Sequence, residues 1–231
     1  MTKDKKTGLP GRLIVVEGID GSGKSTQIYL LKRWLEIEGY KAFFSEWNSA
    51  DVVRSAIKRG KKKLLLTPLT FSLIHAIDFS DRYEKQILPL LQAGYIVLCD
   101  RYIYTAFARD TTRGCDPEWV RKLYSFAVVP DITFFFDIEA SIAVERILQS
   151  RPNLKYHEAG MDLNLAADPV VSFKIFQRMI TEKYKLIAER YNFQLIDATL
   201  AIEKQQNRVR SIVEEKIDLK DFKSSARRRA P

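Results

Sequence analysis

The run Gly18-Ile19-Asp20-Gly21-Ser22-Gly23-Lys24-Ser25 carries glycine, lysine and hydroxyl residues at the spacing G-x-x-x-x-G-K-[ST]. Glycines let the backbone curl until successive N–H groups converge on an anion, and a helix N-terminus behind them adds partial positive charge. At this spacing Lys24 reaches the β- and γ-phosphates of a nucleoside triphosphate, and the Ser25 hydroxyl ligates Mg²⁺. Gly18 through Thr26 are therefore the expected triphosphate-binding set.

A second unit, Asp100-Arg101-Tyr102, follows the apolar run Tyr95-Ile96-Val97-Leu98-Cys99. At the carboxyl end of a parallel strand an aspartate can hold Mg²⁺ or one of its waters. An arginine there can clamp a phosphate with paired N–H groups. A third unit, Arg146, Arg151 and Lys155, straddles a helix end and an irregular segment. As a lid, that segment would fold over a phosphoryl group in transit, neutralise charge and exclude water. The bland alternatives are a ligand-free turn, a structural Asp–Arg pair, and an ordinary loop in which Arg146 pairs with Glu145 or Glu139.

Strands alternate with helices along the whole chain. Apolar runs predict strands at 12–17, 41–46, 95–99, 132–137 and 193–197. Helices are expected at 24–38, 50–59, from Thr67 to near Gly94, from Pro117, and at 140–149, 169–191 and 201–216. Thr67-Pro68, Asp116-Pro117 and Asp168-Pro169 each set a capping side chain before a proline, a helix-start signal. Near-continuous apolar strands separated by helices imply a three-layer α/β/α architecture around a five-stranded, mainly parallel sheet. The expected division is a flexible N-terminal arm (1–11), one domain (12–217) with its lid at about 151–167, and a basic tail (218–231).

The chain has 231 residues, a net charge of +9, 46% hydrophobic and 29% charged residues, within the range of a folded α/β domain. No apolar run approaches the ~20 residues of a membrane span. The charged N-terminus lacks the apolar segment of a secretory signal, so a cytoplasmic location is expected. Cys99 and Cys115 read as free thiols. The clusters Lys58–Lys63 and Lys223–Arg229 read as solvated surface, with nucleic-acid contact through the tail as the lesser alternative.

Over roughly residues 12–215 the chain resembles the thymidylate kinase family, of the P-loop nucleoside monophosphate kinase type. The resemblance rests on Glu17–Thr26, Asp100-Arg101-Tyr102, the arginine-bearing lid and Ile196-Asp197-Ala198. It implies that Lys24 and the loop amides cradle the donor phosphates, that Arg101 holds the acceptor phosphate, and that Asp20 meets the acceptor sugar. It places Asp197 and Ala198 by the adenine, with Arg146 in the ATP set, and it implies a homodimer built on helices that include the long one. Gly21 stands where some members carry an arginine, which makes Arg151 the expected source of lid charge.

Three departures fall in the acceptor pocket. Ser45-Glu46-Trp47 replaces Arg-Glu-Pro, Arg109 and Asp110 replace a stacking and an amide-reading residue, and the base-facing arginine of the long helix is matched by Phe79, with Arg82 about one turn away. Glu46, Arg54, Phe79, Arg82, Thr105 and Arg109 join Asp20 and Arg101 as acceptor candidates. The reaction that the resemblance implies is ATP-dependent phosphorylation of a nucleoside monophosphate, dTMP first, with Lys24, Arg101 and Arg151 catalytic and Ser25 and Asp100 on Mg²⁺. One alternative is a kinase of a nucleoside or other small acceptor with Glu46 as base. Another is a P-loop binding protein that docks through its tail.

Overall fold

The computed structural model describes residues 8–220. Within them the strands β1 (Arg12–Glu17), β2 (Ala42–Glu46), β3 (Ile96–Asp100), β4 (Ile132–Asp137) and β5 (Gln194–Asp197) form one sheet in the order β2-β3-β1-β4-β5. All four pairings are parallel. β1, β3 and β4 are buried almost throughout, because helices cover both faces and leave no polar side for an alternating pattern. Val16 pairs with Asp100 on one side and Phe134 on the other, so three strands deliver their carboxyl ends to the same edge.

Nine α-helices lie among the described residues: α1 (Lys24–Ile37), α2 (Asp51–Lys62), α3 (Pro68–Arg82), α4 (Leu88–Gln92), α5 (Ile103–Thr112), α6 (Pro117–Leu123), α7 (Ala140–Ser150), α8 (Pro169–Arg190) and α9 (Ile202–Lys216). Thr67, Asp116 and Asp168 accept from the backbone N–H groups of Thr70, Trp119 and Val171, the caps expected before each proline. The Phe134-Phe135-Phe136 run is core, and His75 is fully buried on α3.

The single helix expected between Thr67 and Gly94 is three pieces. A π-helical turn, Tyr83–Ile87, separates α3 from α4. Pro89 has no N–H for the Lys85 carbonyl and crowds it, and the ladder widens so that Leu88 N–H reaches Tyr83 O. α2 extends to Lys62 and draws Arg59, Lys61 and Lys62 into its last turn, where cations complement the negative end of the helix dipole. The expected arm ends in a packed residue: Gly11 N–H donates to Leu91 O at 2.8 Å, and a Cβ there would sit 2.5 Å from Tyr95 O. Residues 1–7 of that arm and the cluster Lys223–Arg229 lie outside the described residues. No described helix is long and apolar enough to cross a membrane.

Candidate active site

The loop from Gly18 to Gly23 joins β1 to α1. Gly23 precedes α1 in the left-handed region (φ 82°), and Gly21 is left-handed as well (φ 83°). A Cβ on Gly21 would meet Ala143 O of α7 at 2.4 Å. That backbone wall explains why the arginine of some family members has no room at position 21 here. Lys24 is buried, donates to Ile19 O at 3.3 Å and lies 3.9 Å from Asp20. Burial and repulsion from Arg101 lower its pKa, while Asp100, Asp20 and Glu17 oppose that shift. An incoming phosphate would restore the missing negative charge.

β3 supplies the facing wall. The Ser25 hydroxyl donates to Asp100 Oδ2, and Asp100 Oδ1 is buried without a partner. That orphaned oxygen beside a hydroxyl is a donor set suited to Mg²⁺, which takes few protein oxygens and fills its octahedron with phosphates and waters. No larger cluster of His, Cys, Asp or Glu suited to a metal occurs among the described residues.

Arg101 follows in a left-handed conformation (φ 72°), costly for a side chain this large. Its N–H donates to Val16 O at 3.0 Å, and its guanidinium binds Asp20 and Gly18 O. Burial alone would raise the Asp20 carboxyl, but the charges of Arg101 and Lys24 overcome it and hold its pKa at about 2.

The turn is secured from below by Glu17, fully buried at the end of β1. Its carboxylate accepts from Tyr102 N–H (2.9 Å), Thr105 N–H (3.2 Å), Thr105 Oγ1 (2.6 Å) and Tyr184 Oη (2.8 Å). Burial raises the Glu17 pKa against these bonds. Glu17 thus caps the N-terminus of α5 from another strand and fixes where Arg101 emerges.

These groups form one end of a cleft of about 600 Å³. Its far end is lined by Trp47 after β2, Lys61 of α2, Phe71 of α3, Arg109 of α5 and Phe176 of α8. Lys155, Tyr156, His157 and Glu158 of the 151–167 segment line it as well. A triphosphate grip and a positively charged wall therefore face each other across one cavity.

A family model described as thymidylate kinase matches residues 16–209. A probable thymidylate kinase 2 of Saccharolobus solfataricus is 47% identical over 209 residues, covering 90% of this chain and 98% of that protein. A probable thymidylate kinase of Thermococcus kodakarensis is 32% identical over 213 residues, covering 87% and 96%. The chain belongs to the thymidylate kinase family. It is a nucleoside monophosphate kinase, a nucleotide-binding transferase.

In this member of the thymidylate kinase family, Ile19, Asp20, Lys24, Ser25, Glu46, Asp100, Arg101 and Arg109 line the cleft, as their placement in the sequence predicts. Other candidates lie elsewhere, for reasons the packing supplies. Arg54 sits on the exposed face of α2, bonded to Ser49 O and paired with Asp51. Phe79 is core, packed against Trp47, Tyr83 and Tyr102. Arg82 is fully buried, with Nε on Asp78 (3.1 Å) and Nη1 on Ser45 Oγ (2.8 Å). Asp78 also accepts from the N–H groups of Asn48 and Ala50, so this pair braces the loop that carries Trp47. Thr105 serves Glu17 instead of a ligand.

Arg151 bonds to Glu158 inside the lid and stays off the cleft wall, whereas Lys155 lines it. Arg146 donates to Ala198 O at 3.0 Å, and Asp197 is exposed and caps the turn at Thr199. The 151–167 segment is irregular apart from a 3-10 turn at Met161–Leu163, and its second half is tied down. Arg113 grips Asp162 (2.7 Å) and His157 O (2.8 Å), and Ser172 Oγ holds Ala159 O (2.7 Å). His157 packs in this anchor.

Sequence reading missed Glu17, Lys61, Phe71, Tyr156 and the α8 residues Phe176, Ile180 and Tyr184. The three α8 residues do carry a signal, a spacing of four, but it is the signal of any core stripe. Lys61 stands 5.3 Å from the centroid of the Phe71 ring. Burial and the nearby Arg109 and Arg113 charges bring its pKa down to about 7.

Proposed function

We propose that this chain transfers the γ-phosphoryl group of ATP to dTMP, giving dTDP. The observation that carries the reading is the facing of Lys24 and the P-loop N–H groups with the Asp20-braced guanidinium of Arg101 inside one cleft. Lys24 and the loop amides grip the donor phosphates, and Arg101 takes the acceptor phosphate. Both reactants are then held in line, which converts an encounter into an intramolecular step. The attacking phosphate oxygen is already ionised at neutral pH, so no general base is required. Charge that shifts toward the bridging oxygen meets Lys24, while Arg101 offsets the negative charge of the attacking phosphate. Ser25 and Asp100 would hold Mg²⁺, which neutralises the β- and γ-phosphate oxygens when bound. Lys155 brings lid charge to the same space and helps exclude water.

The test is an ADP-release assay across nucleoside monophosphates. Turnover with dTMP supports the reading, and failure with every monophosphate despite measurable ATP binding overturns it. Turnover of thymidine that collapses in Glu46→Gln would favour the nucleoside kinase alternative.

The cleft reading extends to assembly and location. Leu69, Leu73 and Ile77 repeat every fourth residue on the exposed face of α3, an unpartnered apolar stripe suited to a second copy of the chain. The homodimer packs α3 against its counterpart and works in the cytoplasm, in keeping with free thiols at Cys99 and Cys115. Sedimentation equilibrium tests it: Leu73→Glu gives monomers where the wild type gives dimers, and a monomeric wild type refutes it.

A further inference from the structure

We propose that Arg109, held in place by Asp110 and Ser72, reads the acceptor base through a carbonyl oxygen, and so selects pyrimidine-2,4-diones over amino-bearing bases. This rests on the monophosphate kinase reading and deepens it. The guanidinium lines the cleft between two rings that also line it, 4.7 Å from the Phe71 centroid and 5.7 Å from that of Trp47. Its Nε donates to Asp110 Oδ1 at 3.0 Å. Asp110 is buried, and its other oxygen accepts from Ser72 Oγ at 2.7 Å, which anchors α5 to α3. The plane of the guanidinium is therefore fixed by a buried carboxylate that is itself fixed.

Nη2 of Arg109 is buried and has no hydrogen-bond partner. An arginine left one donor short in a desolvated site has a demand that a ligand acceptor can meet. A guanidinium only donates, so it accepts a carbonyl as partner and rejects an exocyclic amino group, which would set donor against donor. Its flat face beside Trp47 and Phe71 suits the stacking of a planar base. The one arginine of α3, Arg82, cannot take this role in its place, since it is locked by Asp78 and Ser45 beneath Trp47. Lys61, above Phe71, adds a second donor on the same side.

The experiment measures kcat/KM for dTMP, dUMP and dCMP with wild type, Arg109→Met and Ser72→Ala. The wild type should use dTMP and dUMP and discriminate against dCMP. Arg109→Met keeps the stem and removes the donors, and its preference for dTMP over dCMP should fall by about 10- to 100-fold, with the loss on the dione substrates. Ser72→Ala leaves Arg109 intact but frees Asp110, and should relax the same ratio by a few-fold; it carries the test if Arg109→Met does not fold. A ratio unchanged in the folded variants overturns the inference while leaving the kinase reading intact. A wild type that phosphorylates dCMP as well as dTMP also overturns it. A wild type that binds ATP and turns over no monophosphate removes both.

Discussion

At the end of the cleft that carries the glycine-rich loop, residues 17–25 and 100–105 supply the loop, Lys24, the paired oxygens of Ser25 and Asp100, and Arg101, from two segments that sit side by side because β1 pairs with β3. At the base end, Trp47, Lys61, Phe71, Arg109, Tyr156 and Phe176 come from six separate places in the chain. The first end uses mainly backbone N–H groups and short-range charge, which any member of the fold must present in the same way to grip a triphosphate. The second end uses side chains alone, and side chains can be exchanged as long as the cavity keeps its shape and its hydrogen-bond complement. The two ends should therefore fail differently. Damage to the first should remove chemistry, and damage to the second should change which acceptor is used and how well.

The largest expected effect is at Lys24. Replacing it with methionine keeps the aliphatic stem and deletes the charge that faces the transferred group. We expect kcat to fall by about 10³-fold or more, with ATP binding retained in the presence of Mg²⁺. Steady-state ADP release and nucleotide titration check this. A loss smaller than about tenfold would place the neutralising charge elsewhere and erase the contrast between the ends.

Two glycines sharpen it, one at each end. Gly21 and Gly160 both have positive φ, 83° and 68°. An added Cβ meets the Ala143 backbone carbonyl at 2.4 Å in the first case and Phe176 Cγ at 2.5 Å in the second. A carbonyl inside α7 cannot move alone, so Gly21→Ala should cost about 2–4 kcal/mol and raise the KM for ATP. The Phe176 ring can be displaced, at the expense of the cleft wall it forms. Gly160→Ala should cost about 1–3 kcal/mol and raise the KM for the acceptor more than that for ATP. Thermal unfolding and the two KM values are the measurements. Equal effects on both substrates at either glycine would mean that the ends are not independent.

The same contrast decides what was legible from sequence. The sheet, its parallel pairing and the P-loop could be read because each rests on local rules: apolar runs, proline-preceded caps and a glycine spacing. The placement of Asp20, Lys24, Ser25 and Asp100-Arg101 around one cleft followed, since strand ends fix where they emerge. Arg82 shows where this stops. Its place about one turn from Phe79 is uninformative, because nothing in the spacing shows that Asp78, one turn back, and Ser45 on β2 hold it in the interior. Arg151 reads as a catalytic cation until Glu158 is seen beside it. Lys61 lies in a charge run that reads as solvated surface, and nothing local says that the last turn of α2 sets Lys61 over Phe71. Long-range packing, not propensity, assigned each of these.

The smallest expected effect concerns the anchor that holds the lid at the base end. Burial would raise the Asp162 carboxyl, but the nearby His157, whose Nδ1 lies 3.6 Å away, and the hydrogen bonds and charge of Arg113 outweigh it, bringing its pKa from 3.8 to about 2. A carboxylate whose pKa is lower in the folded state stabilises that state above its unfolded pKa, and the contribution is lost as pH falls through the folded value. The stability difference between wild type and Asp162→Asn, from urea unfolding, should be about 2 kcal/mol at pH 6 and should shrink between about pH 4 and pH 2. No such window should appear for ATP affinity, because the P-loop shares no partner with Asp162. A difference independent of pH would mean that Asp162 holds the lid by shape and not by charge, and that Arg113 does not need its partner ionised to lie flat between Phe71 and Phe176, 4.6 Å from each ring centroid.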